Sequence, residues 1–234
     1  MASGNGGFGL LRRGGSRGSR PYRKHRPLPA LALVTTLCVI AAVVWVNVAI
    51  DKSSVNDEIR CAPQAAPPVG VTFTPLPHGA LRGIAPRPPA EVSVQVLNAS
   101  SKLGQAGRTT GTLRELGFTQ LGKPANDQAY ATQEADCHGQ IRFGPNGKAA
   151  ARTISLLEPC LELIKTNRKD AGVDLVIGSD FRDIEPGGKA RKVLHKLKSW
   201  AAQHDPSAGG EQAAAPQGPQ LDPKTLRAIR DAQC

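Results

Sequence analysis

A chain of 234 residues accommodates one domain of ordinary size plus extensions, and leaves too little for two full cores. Its net charge of +11 is concentrated: seven basic side chains (Arg12, Arg13, Arg17, Arg20, Arg23, Lys24, Arg26) and no acidic one fall in residues 1–29, so the remainder is only mildly basic. Five Phe, two Trp and two Tyr are too few for a platform that stacks single-stranded nucleic acid, and no nucleic-acid partner is expected.

The first 29 residues, rich in Gly, Ser and Arg, have too little apolar content to fold. They are expected to direct topology and to touch anionic lipid. From Ala30 to Ile50 twenty-one residues carry no charge, and as a helix they span roughly 31 Å, the thickness of a bilayer's hydrocarbon core. Thr35 and Thr36 can hydrogen-bond within their own helix, and Trp45 falls where an interfacial aromatic belongs. The run is longer than a signal-peptide core, and no small-x-small cleavage site follows it. Its outer flank (Asp51, Lys52, Asp57, Glu58, Arg60) is almost neutral, so the positive-inside rule places the N-terminus in the cytoplasm and everything after Asp51 outside.

Cysteine usage agrees with that topology. Cys38 lies in the apolar span, whereas Cys61, Cys137, Cys160 and Cys234 all fall on the outer side, where disulfides persist. A zinc site is the rival reading, but Cys137-His138 is too close for the usual ligand spacing and no second pair completes four ligands.

Residues 51–90 read as a stalk, with eight prolines between 63 and 90. Such a segment either extends as a spacer or wraps on the domain surface through Val69, Val71, Phe73 and Leu76. Residues 91–178 read as a folded α+β domain. Val92, Val94 and Val96 alternate as a half-buried strand; Asn98–Ser101 is a turn with ready helix caps; Leu103, Ala106, Thr110 and Leu113 recur at helical spacing before Gly117. Phe118–Leu121 and Gln140–Phe143 read as strands. A second helix carries Ala150, Ile154, Leu157 and Leu161, and Asp174–Gly178 closes the domain. The order is β-α-β-β-α-β, with helices on one face of a sheet. A helix following a strand runs back along it, so the end of the second helix approaches the start of the third strand. This favours a Cys137–Cys160 bond, worth roughly 3 kcal/mol, and leaves Cys61 for Cys234.

Residues 179–204 contain a basic amphipathic helix over 189–202, with Val193, Leu197, Trp200 and Ala201 on one side and Lys189, Arg191, Lys192, Lys196 and Lys198 elsewhere. It is either a solvated face or a surface for anionic lipid or an acidic envelope polymer. Residues 205–234 form a flexible connection and a short helix, capped by Asp222-Pro223, that leads to Cys234.

No catalytic motif emerges. Gly104, Gly107 and Gly111 lack the dinucleotide spacing, Gly147-Lys148 is no phosphate-binding loop, and no serine sits in a nucleophile elbow. His78, His138, His195 and His204 have no evident partner, and most carboxylates (Glu158 and Glu162 among them) fall on expected helix surfaces or loops. The chain is expected to be no enzyme and to need no cofactor or metal. The best binding candidate is the turn after the first strand, where polar side chains and helix-opening N–H groups converge. The residues singled out are Asn98, Ser100, Ser101, Gln105 and Arg108; the alternative is that they only cap the helix.

The segment VSVQVLNASS, followed by Gly104, a helix, Leu116-Gly117-Phe118 and a closing strand, resembles the LytR C-terminal domain family. That family's turn reads Val-Leu-Asn-Gly-Ser-Gly or similar; Val96, Leu97, Asn98 and Ser100 match, and Ala99 and Ser101 stand where glycines are common. The resemblance implies a single-pass bacterial envelope protein, extracytoplasmic beyond its anchor, that supports envelope integrity without known catalysis. Its partner would be a wall polymer, a lipid or an envelope protein, and its oligomeric state is open. An assembly adaptor for wall-polymer-attaching enzymes and a hydrolase or transferase with an unfamiliar site are the alternatives.

Overall fold

The computed structural model describes residues 28–204 and 218–231. The expected basic tail up to residue 27, most of the connection after 204, and Cys234 lie outside the described residues. The chain divides into two units, 1–47 and 48–234.

Helix α1, Leu28–Glu58, begins in the first unit. Its described side chains, 31–47, are exposed throughout, Trp45 at 75%. Thr35 Oγ1 donates to Leu31 O (3.0 Å), Thr36 Oγ1 to Ala32 O (2.8 Å) and Asn47 Nδ2 to Val43 O (3.0 Å), so the polar groups of the apolar stretch are satisfied within the helix. Among the described residues no helix is long and apolar enough to cross a membrane.

The second unit is built on one seven-stranded sheet: β1 Phe73–Leu76, β2 Ser93–Asn98, β3 Gln120–Leu121, β4 Ala125–Asn126, β5 Gly139–Phe143, β6 Glu162–Thr166 and β7 Val173–Ile177. The spatial order is β1-β6-β5-β7-β2-β3, with β4 also on β2. β1 with β6 and β5 with β7 are antiparallel; the other pairs are parallel. Alternation sorts side chains by face. Val94, Val96, Ile141, Phe143, Leu163, Leu175 and Ile177 form the main core with α2 (Gln105–Glu115), α3 (Lys148–Leu157) and α4 (Gly188–Gln203). The opposite face carries Leu97 and Val176 and is covered by Cys61, Phe73, Ala129, Tyr130, Ala135 and Cys137. Gly139 opens β5 at φ +146°, where any Cβ would collide with the carbonyl of Val176 across the β5–β7 pair.

The α+β class and the one-sided helices match the expectation, but the order is longer than β-α-β-β-α-β. The second helix stops at Leu157, not Leu161. Glu158, held before Pro159, is extended at φ −125° and ψ 90°, and the chain re-enters the sheet as β6. The Pro-rich segment is no spacer. It wraps on the domain, giving β1 to the sheet and burying Leu81, Pro86, Pro88 and Pro89.

The disulfide expectation is overturned. Cys61 bonds Cys137, with Cα atoms 4.8 Å apart, which excludes both Cys137–Cys160 and Cys61–Cys234. Cys137 leads into β5 on the face away from α3. There Asp136 N donates to Ala62 O at 2.7 Å and aligns the two segments. Cys160 follows α3 and is itself disulfide-bonded.

α4 buries Ala190, Val193, Leu194 and Leu197. α5, Pro223–Arg230, is capped as expected: Asp222 accepts from Lys224 N (3.1 Å) and Thr225 N (3.0 Å). Ile229 joins α3 and α4 in a smaller cluster with Leu156, Val193 and Leu197.

Candidate functional site

The turn after β2 is held from several directions. Asn98 is 9% exposed; its Nδ2 donates to Lys102 O (3.1 Å) and its Oδ1 accepts from Ser100 N (3.2 Å). Ser100 Oγ lies 2.9 Å from Asn98 Oδ1 and 3.1 Å from Gln105 Oε1, and accepts from Lys102 N. Gln105 Nε2 donates to Phe181 O (2.8 Å), and Lys102 Nζ donates to Ser179 O (2.6 Å). Of the five residues singled out, the fold thus brings Asn98, Ser100 and Gln105 together. Ser101 and Arg108 face solvent, Arg108 reaching only Leu103 O at 3.4 Å. None of them caps the helix: the N-cap is Gly104 at φ +73°, without a side-chain cap bond. Lys102, whose cation clamps the loop after β7, carries no signal in the sequence that separates it from a surface lysine.

Several charged groups are buried. Arg142 on β5 pairs with Asp127 at 2.7 Å, both side chains under 5% exposed. Its Nη2 donates to Gln140 Oε1 (2.8 Å), and its guanidinium lies 4.4 Å from the centre of the Phe73 ring. Gln140 Nε2 donates to Glu162 Oε2 (2.8 Å), which also accepts from Cys61 N (3.3 Å). Burial raises the pKa of Glu162 and pushes the Tyr130 phenol up to about 12. Glu158, beside the main core, is raised to about 7, first by burial and then by Asp183 and Glu185; the N–H of Glu185, donating at 3.1 Å, opposes the rise. The network's members bond chiefly to one another, and Asp127 Oδ2, which accepts no hydrogen bond, is held by its ion pair with Arg142.

A second buried cluster is cationic. Arg230 on α5 is fully buried, its Nε and Nη2 donating to His78 O (3.1 and 3.0 Å) and its Nη1 to Pro159 O. Burial, then Arg152 and Arg82, pull its pKa down to about 9. Arg152 on α3 is equally buried, with Nε and Nη1 unpartnered. A groove of about 630 Å³ lies beside it, lined by Arg82, Ile84, Pro86, Leu221, Leu226 and Arg227.

The five cations of α4 (Lys189, Arg191, Lys192, Lys196, Lys198) are all exposed, and the helix has no acidic residue. Among the described residues none of the five makes an ion pair, and no group of His, Cys, Asp or Glu is arranged to hold a metal.

The family model described as LytR_C, LytR cell envelope-related transcriptional attenuator, matches residues 91–181, from the entry to β2 through the end of β7 and the loop that Lys102 clamps. The cell envelope integrity protein Cei of Mycobacterium tuberculosis is 37% identical over 188 residues, which cover 79% of this chain and 86% of that protein. The crystal structure of the soluble domain of a conserved hypothetical secreted protein from Mycobacterium marinum is 36% identical, with a TM-score of 0.57, covering 69% of this chain and 97% of that one. The resemblance first carried by VLNAS therefore extends well beyond the turn, and this chain belongs to the family of the mycobacterial envelope integrity protein, with a LytR C-terminal domain over residues 91–181.

Proposed function

We propose that this protein is a non-catalytic, single-pass component of the cell envelope that supports its integrity, holding an extracytoplasmic binding domain at the membrane. A cell-envelope role rests on the kinship with Cei and the LytR_C domain. The observation that carries the topology is the Cys61–Cys137 disulfide, formed eleven residues after the uncharged run ends at Ile50. A structural disulfide belongs to an oxidising compartment, and the basic tail on the other flank belongs to a reducing one. α1, whose side chains over residues 31–47 are almost all apolar and are exposed among the described residues, is the kind of helix that water does not tolerate alone.

The domain's ligand would be a wall polymer, lipid or envelope protein, met through the exposed rim of the Asn98 turn, at Ser101 and Arg108, with Asn98, Ser100 and Gln105 holding its shape. An alkaline phosphatase fused after Cys234 is expected to be active, and loss of the gene to sensitise cells to detergents and wall-active antibiotics. A fusion active only as a cytoplasmic reporter overturns the topology, and unchanged sensitivity overturns the integrity role.

A further inference from the structure

We propose that the cationic face of α4 docks the folded unit onto the anionic phospholipid headgroups of the bilayer that anchors α1; the inference rests on the single-pass reading above. At 100° per residue, Lys189, Lys192, Lys196 and Trp200 fall on one line along the helix, at spacings of three, four and four. Arg191, His195 and Lys198 form a second row about 140° round the helix from the first, so the two rows bound its solvent-facing side. The inner face is fully used, with Ala190, Val193, Leu194 and Leu197 buried. The helix therefore presents its charge from a fixed platform and has no free apolar face to insert.

Two features distinguish this face from an ordinary solvated one. Lys189 and Arg191 stand in the first turn, at the positive end of the helix dipole, with no acidic residue in that turn to offset them. No carboxylate of the described residues pairs with any of the five cations, which leaves them open to an anionic surface. At the far end of the first line Trp200 is half-buried and stacks on His204, ring centres 4.6 Å apart. An indole beside a row of lysines suits the headgroup level of a membrane.

The short tether selects lipid over wall polymer. Residues 51–61 link the apolar run to Cys61, which is locked to the domain through Cys137. Even fully extended, eleven residues reach less than about 40 Å, so the domain stays beside the bilayer and meets headgroups at high effective concentration.

The chain has two tryptophans, which makes both layers of the argument testable in the full-length protein. Trp45→Phe leaves Trp200 as the docking reporter, and Trp200→Phe leaves Trp45 as the anchor reporter. In vesicles of phosphatidylglycerol doped with a lipid spin-labelled at its headgroup, both reporters are expected to be quenched. Quenching of Trp200 is expected to vanish in phosphatidylcholine vesicles carrying the same headgroup label and at about 1 M salt, where the Debye length is about 3 Å. Lys189→Gln, Lys192→Gln and Lys196→Gln together are expected to weaken docking roughly a hundredfold, at about fivefold per charge near an anionic surface. Circular dichroism checks that this variant folds, and the salt arm needs no variant. Trp45 quenched with Trp200 unquenched overturns docking and leaves the anchor standing; Trp45 unquenched overturns the anchor. Trp200 quenching indifferent to salt and headgroup, or a Trp200 response only to added anionic wall glycan, also overturns the proposal.

Discussion

Arg142 shows how much a single side chain can specify. The guanidinium sits on a buried sheet face only because Asp127, Gln140 and the Phe73 ring meet it there. Arg142→Ala leaves the Asp127 carboxylate buried without its cation, and is expected to cost about 3–5 kcal/mol by urea denaturation. The double variant Arg142→Met, Asp127→Asn should recover part of that loss, because neither buried charge remains. Glu158 makes the complementary prediction. Its folded pKa is raised from 4.5 to about 7, so the folded state holds a proton that the unfolded chain has released. Its contribution is fully present below pH 4.5 and is lost as the pH rises to about 7, by up to about 3 kcal/mol. Glu158→Gln should flatten that fall while keeping the acceptor for Glu185 N, as pH-dependent denaturation would reveal.

Among the elements, α5 and the Cys61 segment are held by contacts distant in sequence. α5 is an eight-residue helix, too short to persist alone, and is fixed by Arg230 bridging the carbonyls of His78 and Pro159. Arg230→Ala removes these bonds and is expected to speed amide exchange across 223–230 while sparing the sheet, at a cost of about 2–3 kcal/mol. The Cys61–Cys137 bond closes a separation of 76 residues, for which chain entropy gives about 4 kcal/mol. Peptide mapping without reductant should link those two cysteines. Cys61→Ser with Cys137→Ser should lower stability by about that amount and loosen the cover over Val176. A mapped Cys137–Cys160 pair would refute the strand arrangement.

For the whole molecule, the proposed anchoring makes its own prediction. Phe73–Leu76 is paired in the sheet, so the proposed tether is the short segment 51–61. Inserting a flexible Gly-Ser linker of about twenty residues after Asp57 should leave the domain folded, yet weaken Trp200 quenching several-fold by lowering its effective concentration at the bilayer. Domain stability that fell with the insertion would instead show that α1 supports the fold.

The sequence by itself determined the uncharged run, the charge asymmetry around it, the half-buried strand at 92–96, the basic helix and the Asp222 cap, because each is a local pattern of period or composition. It also exposed the Asn98 turn, whose polar residues are adjacent in the chain. Tertiary structure alone decided that Cys61 and Cys137 meet on the sheet face away from α3. It also made β1 and β6 strands, since Phe73–Leu76 and Glu162–Thr166 acquire that conformation by pairing with each other. It alone placed Glu158, Glu162, Arg142 and Arg230 in the interior. Burial of a charge is a property of what packs over it, and in this protein the covering segments arrive from as far as 152 residues away.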